Sequence, residues 1–197
     1  MSPRTKKQFE QIRESRKAAI QEAALELFAH KSYGNTSISD IAKKAGVSKG
    51  LLYNYFKSKQ DLLQAIIQTA MEEGEKLLQS FMQQDSSPAA QLKGIIEGSI
   101  AMITSNLEYW KLLTALAFQQ EAMGDMGESP RIKSKETIRM ITALFQELGE
   151  PDPEEASYLF GAVMDGIMIH YMYDPENYPM DRMRRYLINR FCAEQAP

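Results

Sequence analysis

Apolar residues in this chain recur at helical spacing, and no stretch alternates apolar with polar residues as a half-buried strand would. Ile20, Ala23, Ala24, Leu27 and Phe28 fall at i, i+3, i+4, i+7 and i+8, one stripe of a first helix over about residues 9–31, with Gly34 placed to end it in a left-handed turn. Ser37 stands three before Asp40, the spacing of a capping box, and starts a second helix with Ile38, Ile41, Ala42 and Ala45 inward. Ser48 caps a third, short helix reaching about Tyr55, and Ser58, three before Asp61, opens a fourth that runs to about Met82. Beyond the break QDSSPA, the pattern predicts helices over about 89–104, 107–122 and 131–148, the last two separated by the loop GDMGESP. Asp152 as cap, Pro153 at the first helical position and Glu155 at the third start an eighth helix, and a ninth takes about 179–193. The expected fold is all-α, of about nine helices.

Such a chain has ample material for a core. Its 197 residues are 44% hydrophobic, far from the composition that keeps a chain disordered. The lone Cys192 excludes an internal disulfide, so packing holds the fold together, as suits a reducing cytoplasm. The first fifteen residues lack the apolar centre of a secretory signal. The most apolar stretch, LFGAVMDGIMIHYM, is interrupted by Asp165 and is too short to span a membrane. Two histidines, His30 and His170, one cysteine and no catalytic motif give no basis for an enzyme, a metal site or a cofactor.

Charge is distributed unevenly. Residues 1–60 hold twelve Lys or Arg against five Asp or Glu, a balance of +7, whereas the rest of the chain balances to −10. A basic head on an acidic body points to a polyanion bound by the head. Within the head, GVSKGLLYNYFKSK (46–59) contains three lysines and no acid. Ala45 and Ser48 leave room for only a tight turn, so helices two and three form a helix-turn-helix whose second member can enter a major groove. Lys49 can reach a guanine edge or a phosphate, and Gly50 allows close backbone approach. Leu51 suits a thymine methyl, while Tyr53, Asn54 and Tyr55 supply hydroxyl and amide groups. Thr36, Ser37 and Lys59 are placed to grip the phosphate backbone. For any one of these residues a solvated face or plain core is the competing reading; their joint occurrence carries the assignment.

TSISDIAKKAGVSKGLLYNYFKSKQDLL (36–63), preceded by AAIQEAALELFAHKSYGN, strongly resembles the DNA-binding domain of the TetR family of bacterial transcriptional regulators, over about residues 12–67. The resemblance implies an all-helical homodimer reading a palindromic operator in double-stranded DNA. Residues 1–57 would form the helix-turn-helix domain, and 58–197 an effector-binding and dimerisation domain with helix four (59–82) as connector. By the same likeness Lys49, Gly50, Leu51, Tyr53 and Asn54 would face the groove, with Thr36, Tyr55 and Lys59 holding phosphates or positioning the groups that do.

The remaining two thirds are read from chemistry. The eighth helix is apolar nearly all round and must be covered on both sides, by its own core and by a second subunit. Phe160, Met164, Ile167 and Tyr171, with Leu187 and Phe191 of the ninth helix, are the expected dimer contacts. Met102, Tyr109, Trp110, Phe118, Met123 and Met140 are the soft and aromatic groups expected around a small-molecule effector, and Asp165 is the candidate to orient it. With repression taken from what the family resemblance implies, the expected function is a cytoplasmic repressor released from its operator by a small, largely apolar ligand. The other reading is a DNA-bound protein controlled by a protein partner; an enclosed cavity of about 300 to 1,000 Å³ would favour the ligand.

Overall fold

The computed structural model describes residues 5–83, 86–119, 121, 122 and 129–192, with side chains from 134 onward in the last segment. Met123 lies outside the described residues. Nine helices and no strand are found among them: α1 (Lys6–Lys31), α2 (Ile38–Lys44), α3 (Lys49–Tyr53), α4 (Lys59–Met82), α5 (Pro88–Ser105), α6 (Leu107–Ala117), α7 (Ser129–Glu147), α8 (Pro153–Tyr173) and α9 (Met180–Phe191). The all-α expectation holds. Contacts group the chain into two compact units, residues 1–70 with 112–127, and residues 71–111 with 128–197.

In the first unit α1 packs on α2 and α2 on α3. Ile20, Ala24, Phe28, Ile41, Leu52, Phe56, Leu62 and Leu63 are buried together with Leu116. The end of α1 differs from expectation. Gly34 is not left-handed; Ser32 is, with φ 69°. That conformation is costly for a residue with a Cβ, and the Thr36 hydroxyl pins it by donating to the Ser32 carbonyl at 2.8 Å. The turn there lets Tyr33 return to the core, its ring edge-on to Phe28 at 5.1 Å between centroids.

The second unit is a bundle in which α7 packs on α8, and α5 contacts α7, α8 and α9. Its centre is a cluster of three rings, Phe145, Phe160 and Phe191, meeting edge-to-face at 5.3 to 6.1 Å. Such pairs add about 0.5–1.5 kcal/mol each beyond their burial. Close approach of α4 and α5 depends on two glycines: a Cβ at Gly94 would collide with the Phe81 ring, and one at Gly98 would lie 2.7 Å from Leu77. Pro153 starts α8 as expected, but the Asp152 side chain makes no capping hydrogen bond. Gly149, at φ 78°, ends the turn after α7.

Burial pushes the half-buried Cys192 thiol up to about 11. At pH 8 the native protein should therefore react with a thiol reagent far more slowly than the same protein in denaturant. Equal rates would show that the thiol is not shielded.

Candidate nucleic-acid interface and ligand cleft

The helix-turn-helix is built from local hydrogen bonds. Ser37 accepts from the Asp40 N–H at 3.1 Å, while the Asp40 carboxylate accepts from the Ser37 N–H at 3.1 Å and from its hydroxyl at 2.7 Å. These donors hold the Asp40 carboxyl below its ordinary range. The cap therefore contributes stability above the usual aspartate pKa, which is lost as pH falls through the depressed value. At Gly46 the chain adopts φ 66°, the bend a tight turn needs, and the Val47 N–H returns to the Ala42 carbonyl at 3.0 Å. Ser48 then caps α3 by accepting from the Leu51 N–H at 3.1 Å.

Leu52 and Phe56 anchor α3 in the core, and this fixes which side it shows to solvent. Lys49, Gly50, Tyr53 and Asn54 are exposed, Leu51 and Tyr55 half-buried. A Cβ at Gly50 would meet nothing within 4 Å, so the backbone there is open to a large partner. Ser37 is exposed but engaged in its cap. Two expected phosphate ligands are turned inward. Thr36 is 2% exposed, its hydroxyl held by the Leu27 and Ser32 carbonyls. The Lys59 ammonium donates to the carbonyls of Tyr33 at 2.8 Å and Thr36 at 3.1 Å, and lies 4.4 Å from the centroid of the Tyr33 ring. Both residues organise the loop between α1 and α2. Lys44 pairs with Glu26 at 2.6 Å across the surface, leaving Lys43 exposed beside it.

The second unit contains a cleft of about 450 Å³ between α4, α5, α7 and α8. Its apolar wall includes Met71, Leu78, Ile95, Met102, Met140 and Phe160. Of the expected ligand residues, Met102, Met140 and Asp165 line it. Tyr109 and Trp110 do not. Trp110 packs on the core and donates its Nε1–H to the Met102 carbonyl at 3.1 Å, and burial pushes the Tyr109 hydroxyl up to about 12, with Glu73 adding to the effect. Phe118 belongs to the first unit, where it is 78% exposed. Asp165 lines the cleft, its carboxyl raised above the ordinary range by partial desolvation although the residue as a whole is exposed.

The expected dimer contacts are engaged inside one chain. Phe160, Met164, Ile167, Leu187 and Phe191 are buried within the unit itself, and Tyr171 packs against the same core. Side chains so covered leave little area for another chain. The apolar groups that α8 leaves uncovered are Tyr158, Leu159, Ile169 and Tyr173, with Tyr186 on α9. Tyr158, Ala162, Ile169 and Tyr173 recur at helical spacing along one exposed stripe.

A family profile described as bacterial regulatory proteins, tetR family, matches residues 20–66, and one described as BetI-type transcriptional repressor, C-terminal, matches residues 88–196, more than half of the chain. The chain belongs to the tetR family. It is a DNA-binding transcriptional repressor with a BetI-type C-terminal region. Among curated relatives it is 27% identical over 174 residues to the HTH-type transcriptional regulator BetI 1 of Chromohalobacter salexigens, an alignment covering 86% of this chain and 85% of that one. It is 25% identical over 193 residues to PksA of Bacillus subtilis, covering 92% of each. The fold of the Bacillus subtilis transcriptional regulator FadR, solved in complex with stearoyl-CoA, superposes with a TM-score of 0.71 at 18% identity, covering 91% of this chain and 99% of that one.

One residue of the regulator's first unit has no local signal in the sequence. Gln119, just past α6, donates to the Phe28 carbonyl at 2.8 Å and accepts from the Tyr33 N–H at 2.7 Å. Its partners lie 91 and 86 residues away in the chain, beyond the reach of any pattern of spacing.

Proposed function

We propose that the regulator is a cytoplasmic homodimer that holds a palindromic operator through residues 1–57 and is released when a small, largely apolar ligand enters the cleft of its C-terminal part, residues 58–197. The observation that carries this reading is the cleft: about 450 Å³ lies inside the range of small-molecule sites. A neighbour of the same fold was solved with stearoyl-CoA, which supports a ligand in this architecture. Lys49, Gly50, Leu51, Tyr53 and Asn54 read the groove, with Ser37 and Tyr55 at the backbone; Thr36 and Lys59 act by shaping the loop that presents them. Helix α4, residues 59–82, is the connector: Met71 and Leu78 line the cleft, while Leu62 and Leu63 are core of the first unit, so a ligand that displaces this helix reaches the head through one continuous rod. About 1–3 kcal/mol of coupling suffices for a 5- to 150-fold change in operator affinity. No catalytic step belongs to this reading. Among the described residues no helix is long and apolar enough to cross a membrane, which suits a cytoplasmic site of action.

The test is selection of random duplex DNA by the purified protein, followed by titration of the winners at two salt concentrations. A palindromic winner bound far above random duplex is expected. No enrichment, with weak binding driven wholly by salt, would overturn the operator reading. On the selected duplex, Lys49→Ala should lower the slope of log affinity against log salt by about one if Lys49 holds a phosphate, or change base preference if it reads an edge. Lys59→Ala should leave that slope unchanged and instead lower the stability of the first unit by about 1.5–3 kcal/mol, the scale of hydrogen bonds to a charged donor.

A further inference from the structure

Five of the head's twelve cations have no part in the helix-turn-helix: Lys6, Lys7, Arg13, Arg16 and Lys17 all lie on the first half of α1. That half is an overhang. From Lys6 to Ala19 every residue is exposed except Ile12 and Lys17, which are half-buried, and the core begins only at Ile20. Fourteen residues of helix span about 21 Å. The start of the overhang is fixed by a capping box, in which Thr5 accepts from the Gln8 N–H at 3.3 Å and the Gln8 side chain accepts from the Thr5 N–H at 2.9 Å. Resting on the reading of α3 as the helix that enters the groove, we infer that this overhang is a second DNA-binding element, which lays a row of cations along the phosphates of the duplex flanking the site that α3 reads.

Helical spacing sets the row. Lys6, Phe9, Arg13, Lys17, Ile20 and Ala24 fall at i, i+3, i+7, i+11, i+14 and i+18, one face of α1. Ile20 and Ala24 are buried in the head, so this face changes from apolar to basic where the core ends. Its direction follows from the contacts of α2. Just before that helix the Thr36 hydroxyl donates to the Ser32 carbonyl, and at its last residue Lys44 pairs with Glu26. The chain thus works back along α1 as it nears the turn into α3, and the overhang leaves the head at the end where Lys49 begins the recognition helix. Charge selects the partner. Residues 6–19 carry five cations against Glu10 and Glu14, a balance of +3, and among the described residues Lys6, Arg13 and Lys17 have no ion-pair or hydrogen-bond partner. Cations held in this way displace the counterions of a duplex, the main source of affinity for its backbone. Phe9, 59% exposed, stands between Lys6 and Arg13. A protein interface is depleted of charge at its centre, whereas one ring flanked by cations suits the sugar edges of a groove.

The experiment uses the operator obtained by selection in two lengths, one trimmed to the enriched bases and one extended at each end by about eight base pairs of arbitrary sequence, enough to cover about 21 Å of helix. The whole protein should bind the extended duplex at least about 10-fold more tightly, with a slope of log affinity against log salt steeper by about 0.9 for each phosphate gained. Lys6→Gln combined with Arg13→Gln alters two exposed side chains well before the first core residue. That variant should bind the trimmed duplex as the unsubstituted protein does and lose most of the gain from the flanks, and Lys6→Arg with Arg13→Lys should keep the gain. The trimmed duplex reports on the helix-turn-helix in the same molecule, so a damaged head and a lost flanking contact read differently. Equal affinity and slope on the two lengths would overturn the inference. A gain that survives Lys6→Gln with Arg13→Gln would also overturn it and hand the overhang to another partner. If selection enriches no sequence at all, the operator reading fails first and the flanking contact falls with it.

Discussion

Replacing Phe28 by alanine should destabilise the first unit by about 3–5 kcal/mol, the range for removing a buried aromatic side chain. Phe28 is fully buried, its ring meets Tyr33 edge-on at 5.1 Å, and its carbonyl accepts from Gln119 at 2.8 Å. Loss of the ring leaves a cavity where α1 and the loop holding Tyr33 come together. The loop then loses the frame that Lys59 and Thr36 complete, and α2 starts two residues after Thr36. Operator binding should therefore fall with the stability of the head. Chemical denaturation followed by a probe in the first unit measures the change. An unchanged midpoint for that probe would mean that Phe28 is not the keystone its burial implies.

The second large effect is expected on α8. Tyr158→Glu combined with Ile169→Glu puts two charges on the exposed stripe of that helix, away from the buried Phe160 and Ile167. Within one subunit the change should be nearly silent. If the stripe joins two copies, the pair separates, and a monomer can hold one half-site at a time. Losing the second, linked half-site should lower operator affinity by about 100-fold or more. Sedimentation of the doubly substituted protein should show a monomer with intact helical content. A dimer of undiminished stability would move the interface off this stripe. Phe160→Ala should behave differently, lowering stability at every protein concentration, because that ring belongs to the core.

The contrast between these substitutions shows where the sequence is informative. Ser37 with Asp40, Gly46 and Ser48 act on partners within three or four residues, so their roles are legible from spacing alone, and the helix-turn-helix follows from them. Helix α8 is different: an element apolar on every side carries no stripe to say which side turns inward. The choice between Phe160 and Leu159 is made by the rings of Phe145 and Phe191, which come from other helices. Lys59 has the composition of a phosphate ligand, yet carbonyls of the loop after α1 reach its ammonium first. The left-handed residue is Ser32 and not Gly34 because Tyr33 has to return to the core, a demand of tertiary packing that outweighs glycine's local preference. Trp110 and Tyr109 suit a ligand by type, but the fold spends Trp110 on its own core and on the Met102 carbonyl, and Tyr109 meets the Trp110 ring edge-on.

Gln119 bears on how this protein could be taken apart. The head draws in residues 112–127, which supply the buried Leu113, Leu116 and Ala122 as well as the amide that closes on Phe28 and Tyr33. A fragment ending at residue 70 would lose all of these, so the reader of DNA is not a detachable cassette. Grafting its specificity onto another regulator would require transplanting two separated stretches of chain together, and recombination within the intervening segment would have to preserve their match.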